Sequence, residues 1–158
     1  MRTQRIYLET TLFNYYFDTD RDAHADTVTL FKEIAARKYE AYTSDAVLGE
    51  LAKAPAEKRD AMLALVGEYN ISVLQVTEEA RRLADVYISA GIIPQKYRTD
   101  GIHIAVATIH EADIIVSMNF QHIVKLKTMQ MTRVINTLNG YHPIEIRTPM
   151  EVIDYENN

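Results

Sequence analysis

Two patterns of hydrophobic positions alternate along the chain: short apolar runs and longer stretches in which apolar residues recur every three to four positions. The short runs lie at 5–8, 41–43, 71–76, 114–117 and 144–147, and they are rich in the β-branched and aromatic residues typical of strands. The longer stretches have the spacing of amphipathic helices. Strands separated by helices predict a mostly parallel sheet covered by helices on both faces.

Capping residues indicate where several of the helices begin. Ser44 and Thr77 each precede a helical apolar pattern, and Thr77 is followed by two glutamates, which favour the first turn of a helix. Asp26 is expected to cap a helix in the same way. After a break at a glycine and a proline, Thr99 is expected to begin the helix that leads into the fourth strand.

Composition is that of one globular domain and narrows the possible chemistry. The chain has 158 residues, 47% of them hydrophobic and 25% charged, and we expect a single domain over 1–158 with the segment from about 148 at its periphery. It contains no cysteine, which excludes thiol nucleophiles and cysteine-based zinc sites. Because it has neither a long apolar run nor an apolar N-terminus, we expect a cytoplasmic protein with no contact to membranes.

Charge is distributed unevenly along the chain. The net charge is −5, from 17 basic and 22 acidic side chains, which argues against a general coating of nucleic acid. The segment 91–133 is nevertheless locally basic, with five basic residues against three acidic ones, and it holds three histidines. Such a segment is either an ordinary solvated surface or a place where phosphates bind, and charge alone favours the surface.

Several common catalytic motifs do not occur in the sequence. The five glycines form neither a phosphate-binding loop nor a dinucleotide fingerprint, and no serine has the surroundings of a hydrolase nucleophile. His103 and His110 share a helical stripe with Asp100, but their spacing does not support metal binding, so we expect ordinary helix residues there. Glu50 and Asp100, each taken alone, are also more typical of solvated helix positions than of catalysis.

The ends of the strands are where chemistry is expected. In parallel sheets ligands bind beyond the carboxyl ends of the strands, near the point where the strand order reverses. Polar residues follow the first, second and fourth predicted strands, at 9–11, 44–50 and 118–122. Asp100 is less easily placed by this rule, because it lies in the first turn of a helix.

Four short blocks carry these polar residues in a fixed order. They cover 7–11, 44–51, 99–107 and 115–124, with the sequences YLETT, SDAVLGEL, TDGIHIAVA and IVSMNFQHIV. Each block alone is a weak signal, but the four in this order and spacing resemble the PIN domain of VapC-like proteins. The resemblance extends over nearly the whole chain, from Tyr7 to about Ile146.

The resemblance implies a three-layer α/β/α sandwich with a five-stranded, mostly parallel sheet. It also implies a divalent-metal-dependent ribonuclease with Mg²⁺ or Mn²⁺ as cofactor, the toxin of a type II toxin–antitoxin pair. RNA as substrate, a protein antitoxin as partner and a homodimer follow from the same resemblance. The positions that match the family's metal-binding and catalytic residues are Glu9, Glu50, Asp100 and Asn119.

The side-chain oxygens at these positions suit the implied chemistry. Mg²⁺ takes oxygen ligands in near-octahedral geometry and keeps positions open for water and phosphate, so a bound ion can activate a water for attack on phosphorus. Two positions depart from the family pattern: Asn119 replaces a fourth acid found in many members, and Glu9 is one methylene longer than the usual aspartate. We therefore expect Asn119 to be a neutral ligand, and we expect the carboxylate of Glu9 to lie further from the backbone than that of an aspartate.

Basic and hydroxyl residues flank the implied metal site. Lys96 and Arg98 lie just before the third acid, His122 follows Asn119, and Thr11 matches the family's small hydroxyl residue beside the first acid. These four residues are predicted to bind substrate, the cations by contacting RNA phosphates.

Two other functions remain open at the level of sequence. One is a PIN-like domain with weakened catalysis that binds RNA or protein, which Asn119 favours, whereas the three acids favour an enzyme. The other is a small α/β domain that binds an acidic ligand or a phosphorylated partner, which is expected if no divalent ion binds. Cleavage assays with and without divalent ions distinguish these possibilities.

Overall fold

A single five-stranded sheet forms the centre of the protein, whose computed structural model describes residues 2–153. The strands are β1 (Gln4–Leu8), β2 (Tyr39–Ser44), β3 (Ser72–Leu74), β4 (Ile114–Val116) and β5 (Glu145–Arg147). Their order is β3-β2-β1-β4-β5, and every neighbouring pair is parallel. The five predicted strands and the parallel sheet are confirmed.

Eight α-helices among residues 2–153 connect the strands and complete the α/β/α sandwich that the resemblance implied. They are α1 (Thr10–Phe17), α2 (His24–Ala35), α3 (Asp45–Leu51), α4 (Ala56–Glu68), α5 (Glu78–Ser89), α6 (Arg98–Ile109), α7 (Leu126–Leu138) and α8 (Pro149–Val152). A short 3₁₀ helix, Gln95–Tyr97, precedes α6. Within these described residues, no helix combines the length and apolar character needed to cross a membrane.

Local capping explains where α3 and α5 begin. The side chains of Ser44 and Thr77 accept hydrogen bonds from backbone N–H groups of the first turn, as predicted. The prediction for Asp26 was wrong: α2 begins at His24, and Asp26 lies in its first turn. The turn before α2 already closes through a 3.0 Å backbone hydrogen bond from His24 to Arg21, so the helix begins without a side-chain cap.

The central strands decide where the candidate site lies. Residues 6–8 of β1 and all of β4 are buried, because both faces of these strands are covered. Leu8 pairs with Val116, and the N–H of Glu9 donates to the Val116 carbonyl at 3.1 Å. The strand order reverses between β1 and β4, so the residues that follow these two strands meet at the reversal point of the sheet.

The most buried positions of α7 are polar, and partly buried Met129, Met131 and Ile135 pack against the core beside them. Its buried residues are Thr128, Thr132 and Asn136, whereas Val134 and Leu138 face solvent. Asn136 accepts a 2.5 Å hydrogen bond from the Tyr87 hydroxyl of α5 and donates to the hydroxyl of a threonine on α6 at 3.1 Å. Thr128 donates to the carbonyl of residue 122 at 2.8 Å, which ties α7 to the loop after β4.

The segment from about 148, expected at the periphery, is described as far as residue 153. Thr148 and Glu151 form a capping box at the start of α8. The Tyr39 hydroxyl donates to the Val152 carbonyl at 2.9 Å, so this part of the segment contacts β2. Residues 154–158 lie outside the described residues.

Replacing Asn136 with alanine is expected to destabilise the fold by about 3 kcal/mol, because it removes the buried amide that hydrogen-bonds to both Tyr87 and Thr108. Gln130→Ala on the exposed face of α7 is the matched control and should change the free energy of unfolding by less than about 0.5 kcal/mol. Urea unfolding of both variants measures the difference. Equal stability of the two variants would show that α7 is not held by this network.

Candidate active site

A completely buried histidine lies among the three predicted acids. The Nε2–H group of His103, on α6, donates to Oε1 of Glu50, on α3, at 2.5 Å. The Nδ1 atom is 2.8 Å from the Tyr7 hydroxyl of β1, and that hydroxyl is 2.7 Å from Oγ of Ser44. Residues from one helix and two strands thus hold the imidazole in place, with a carboxylate on one side and a hydroxyl on the other.

Electrostatics favour the protonated form of His103. Burial alone lowers its pKa, but the hydrogen bond to Glu50 and the charges of Glu9, Glu50 and Asp100 together raise it above the ordinary value. Burial by itself would raise the pKa of Glu50. The contacts with His103 and Thr10 outweigh burial, so the pKa of Glu50 lies below its ordinary value. His103 and Glu50 therefore form an ion pair, and His103 supplies positive charge to the whole acidic cluster.

Glu9 is the most enclosed of the three acids and directly follows β1. Its Oε1 accepts hydrogen bonds from the backbone N–H and hydroxyl of Thr11, at 3.1 and 2.5 Å, and from the hydroxyl of Ser117 at 2.8 Å. Burial raises the pKa of Glu9, and the charge of His103 and these hydrogen bonds only partly oppose that shift. Because all three contacts use Oε1, Oε2 is the oxygen that can take a cation.

Asp100 lies in the first turn of α6 and contacts the loop after β4. Its Oδ2 is 3.0 Å from Nδ1 of His122. Burial raises the pKa of Asp100, although the charges of both neighbouring histidines and a hydrogen bond from Asn119 lower it in part. Asn119 also accepts the N–H of His122 at 3.0 Å and donates its own N–H to Ser117 at 2.9 Å. The structure therefore brings Asp100 and Asn119 together, and Ser117 links them to Glu9.

Two of the residues predicted to bind substrate, Thr11 and His122, contact the predicted ligands themselves. The hydroxyl of Thr11 donates to Glu9 and accepts the backbone N–H of Met118 at 2.8 Å, which joins the segments after β1 and β4. His122 is buried and stacks against Tyr97, with ring centroids 4.0 Å apart. Both residues hold the predicted ligands in position, and a contact between either of them and RNA stays a prediction.

The other two predicted substrate-binding residues lie at the surface. Arg98 is paired with Asp85 of α5, with its Nε 2.8 Å from the carboxylate, so its charge is already compensated. The ammonium group of Lys96 is 5.8 Å from the ring centroid of Tyr97, which in turn covers His122. Of the two cations, Lys96 is therefore the one better able to contact a ligand. It lies near the ring of Tyr97, which stacks on His122, and His122 contacts Asp100.

The donor atoms of the four predicted ligands fit a hard divalent cation. Carboxylate and amide oxygens are ligands that Mg²⁺ and Mn²⁺ accept. Over residues 2–153, no three side chains from histidine, aspartate or glutamate are grouped closely enough to hold an ion as they stand. Oε1 of Glu50 is engaged by both His103 and Thr10.

Two residues that hold this cluster together, Ser117 and His103, were not predicted to do so from the sequence. Ser117 could have been found from strand register, since it follows β4 where Glu9 follows the paired strand β1. His103 lies one helical turn after Asp100, but its contact with Glu50 joins residues 53 positions apart, which no local pattern reveals. His110, on the same stripe, contacts the carbonyl of Gln75 at 3.3 Å.

In the absence of divalent ions, the free energy of unfolding is expected to fall as pH rises above 6.5, the ordinary pKa of histidine. The stabilisation from His103 is complete below its ordinary pKa of 6.5 and is lost as pH rises through the higher pKa of the folded state. The raised pKa values of Glu9 and Asp100 also lower the free energy of unfolding as pH rises. A carboxyl group with a raised pKa binds more protons in the native state than in the unfolded chain.

Urea unfolding in EDTA across this pH range measures the effect. His142→Gln is the control, since it removes an imidazole whose side chain is 75% exposed, and it should keep the wild-type slope. Stability that is constant or increases with pH would contradict an imidazolium at position 103.

Comparison with known proteins supports the fold. No protein-family model matches the chain, and no curated protein matches it in sequence. The structure of VapBC2 from Rickettsia felis, bound to a DNA fragment from its promoter, is similar with a TM-score of 0.57 and 14% identity over 92% of this chain and 98% of that chain. VapC20 from Mycobacterium tuberculosis, described as a sarcin–ricin loop cleaving toxin, is similar with a TM-score of 0.53 and 15% identity over 88% and 98%. The chain therefore has the PIN-type fold of VapC toxins.

Proposed function

We propose that this protein is a PIN-type endoribonuclease that depends on a divalent metal and serves as the toxin of a type II toxin–antitoxin pair. The observation that carries the proposal is the gathering of Glu9, Glu50 and Asp100 around His103 near the carboxyl ends of the central strands. Ligands bind there in open α/β sheets. The description of VapC20 as a toxin that cleaves the sarcin–ricin loop supports RNA as the substrate.

The proposed ligands are Glu9, Glu50, Asp100 and Asn119. A bound Mg²⁺ or Mn²⁺ ion supplies Lewis-acid stabilisation of a phosphodiester and lowers the pKa of a bound water. The chain's own residues orient the ligands: Thr11 and Ser117 hold Glu9 by one oxygen, and His122 holds Asp100. Such supporting contacts fix the direction in which each carboxylate faces a cation.

His103 has a positioning role in this proposal. It holds Glu50 by Nε2 and compensates negative charge that would otherwise repel within the cluster. An incoming cation would take over part of that compensation. Metal affinity is therefore expected to increase with pH, because binding competes with protons on the cluster.

Cleavage of RNA is expected to require both a divalent ion and Asp100. In Mg²⁺ or Mn²⁺ the wild-type protein should cleave a structured RNA, and EDTA should abolish cleavage. Asp100→Asn should lower the rate by roughly 100-fold or more, which corresponds to a loss of about 3 kcal/mol of transition-state stabilisation. Gel analysis of labelled RNA under single-turnover conditions measures these rates.

Asp60→Asn is the matched control, since it makes the same substitution at an exposed carboxylate on α4 that pairs with the adjacent Arg59. It should cleave at the wild-type rate. Full activity of Asp100→Asn, or cleavage that persists in EDTA, would remove the assigned site from the mechanism.

A binding module with weakened catalysis is the second candidate function. Two observations favour it: Asn119 is neutral, and Glu50 is already paired with His103. A wild-type protein that binds RNA or a partner protein but leaves RNA intact in Mg²⁺ and Mn²⁺ would support this function instead of the enzyme.

The partners belong to the same proposal. The structure of VapBC2 with promoter DNA supports a protein antitoxin as the partner of this chain. The homodimer and the cytoplasmic location stay predictions. Light scattering of the purified protein measures the oligomeric state.

A further inference from the structure

One line of side chains on α7 is turned away from the buried face of the helix and is not used by the candidate active site. Lys127, Met131, Val134 and Leu138 are separated by four, three and four positions, so they lie along one stripe of the helix. These four residues form the α7 seam. Alternating steps of three and four are the spacing by which one helix of a coiled coil packs against another.

The α7 seam is apolar over most of its length and is open to solvent. Val134 and Leu138 are 57% and 77% exposed, and Met131 is partly buried beside them. The outer face of a surface helix is ordinarily polar. Apolar side chains that are scattered singly need no explanation, whereas neighbouring ones on one face are typical of a contact surface.

Hydrogen bonds on the opposite side of α7 fix the direction in which the α7 seam faces. Asn136 accepts a hydrogen bond from Tyr87 at 2.5 Å and donates to Thr108 at 3.1 Å. Thr128 donates to the carbonyl of residue 122 at 2.8 Å. A partner that packs on the seam therefore meets a surface that is already ordered, which lowers the entropic cost of binding.

The cations of α7 lack an acidic partner on their own helix. No aspartate or glutamate occurs from residue 114 to residue 144, although the chain has 22 acidic side chains. Lys127 belongs to the α7 seam, Arg133 is adjacent to Val134, and both cations are exposed. Among residues 2–153, neither Lys127 nor Arg133 forms an ion pair. A charged residue in such a seam favours a partner that can pair with it.

Two acids from other elements contact the segment that follows α7. Glu79 accepts a hydrogen bond from the Tyr141 hydroxyl at 2.8 Å, and the carboxylate of Glu111 is 3.7 Å from Nε2 of His142. Both contacts involve residues beyond the end of the helix. They therefore leave the positive charge beside the α7 seam uncompensated.

Charge and apolar surface together decide what kind of molecule can cover the α7 seam. Two copies of α7 packed on each other would bring their cations together without an acid in either orientation. A nucleic acid would contact the cations but leave the aliphatic side chains in water. An anionic membrane repels a chain whose net charge is −5, whereas an acidic helix with an apolar stripe complements both features.

We propose that the α7 seam docks an acidic amphipathic helix of another protein. The apolar stripe of that helix packs on Met131, Val134 and Leu138, and its carboxylates pair with Lys127 and Arg133. The inference goes beyond the proposed function and does not depend on it, because it uses none of the residues assigned to the metal or to RNA.

Isothermal titration calorimetry of the full chain with a synthetic helical peptide tests the proposal. The peptide has about 18 residues, with leucines in alternating steps of three and four and glutamates on both sides of them. The wild type should bind it, and added salt should weaken the affinity. Two control peptides should not bind: one with the same residues reordered so that the leucines no longer share a face, and one with lysine in place of every glutamate.

Substitutions at exposed positions assign the binding to the α7 seam. Val134→Glu and Leu138→Glu should each weaken the affinity for the acidic peptide by roughly 10-fold or more, because each places a like charge in the contact. Met150→Glu is the matched control, since Met150 is 58% exposed and lies on α8. It should keep wild-type affinity, and circular dichroism should show wild-type folding in all three variants.

Reversal of the cations separates specific pairing from general attraction between charges. The double variant Lys127→Glu/Arg133→Glu should lose the acidic peptide and bind the lysine peptide instead. Lys58→Glu, at an exposed cation on α4, is the matched control and should keep the wild-type preference.

Three results would overturn the proposal. The first is a wild type that binds the acidic peptide no more tightly than the reordered one, or seam variants that match their controls. The second is a self-associated wild type that Val134→Glu and Leu138→Glu convert to monomers in light scattering, which would make the seam a contact between copies of this chain. The third is binding to vesicles of anionic lipid, but not to the acidic peptide, that the same two variants abolish.

Discussion

The arrangement of the candidate site depends on one buried charge. Three carboxylates in a partly desolvated cluster repel one another, and the imidazolium of His103 offsets that repulsion in the folded chain. Its position is fixed from both ring nitrogens, by Glu50 and by the Tyr7 hydroxyl. Breaking such a buried pair by removing one partner is costly, because it leaves an uncompensated charge. A cation that binds the acids would compete with His103, because both compensate the negative charge of the same carboxylates.

The order of strands explains why residues distant in sequence meet at this histidine. β1 and β4 are neighbours on either side of the reversal in strand order, so Glu9 and Ser117 follow paired strand ends and lie within hydrogen-bonding distance. Helices α3 and α6 then bring Glu50 and Asp100 to the same edge. The cluster is thus a property of the topology, and hydrogen bonds from Thr11 and His122 refine it.

The surface around the cluster divides into two regions with different chemistry. On one side Lys96 lies over the stack of Tyr97 and His122, which leads to Asp100. On the other side, Lys53 and Arg81 line a groove between α3, α5 and α6 that adjoins Glu50.

The sequence by itself determined the five strands, the helices capped by Ser44 and Thr77, and the identity of the acids, because these follow from local patterning and from residue type. It did not reveal that α7 buries Thr128, Thr132 and Asn136, nor that α2 begins at His24 without a side-chain cap. Only the tertiary structure decided that Arg98 is neutralised by Asp85 and that His103 binds Glu50. Those partners lie 13 and 53 positions apart, and the strength of each contact depends on burial and distance, which exist only once the chain has folded.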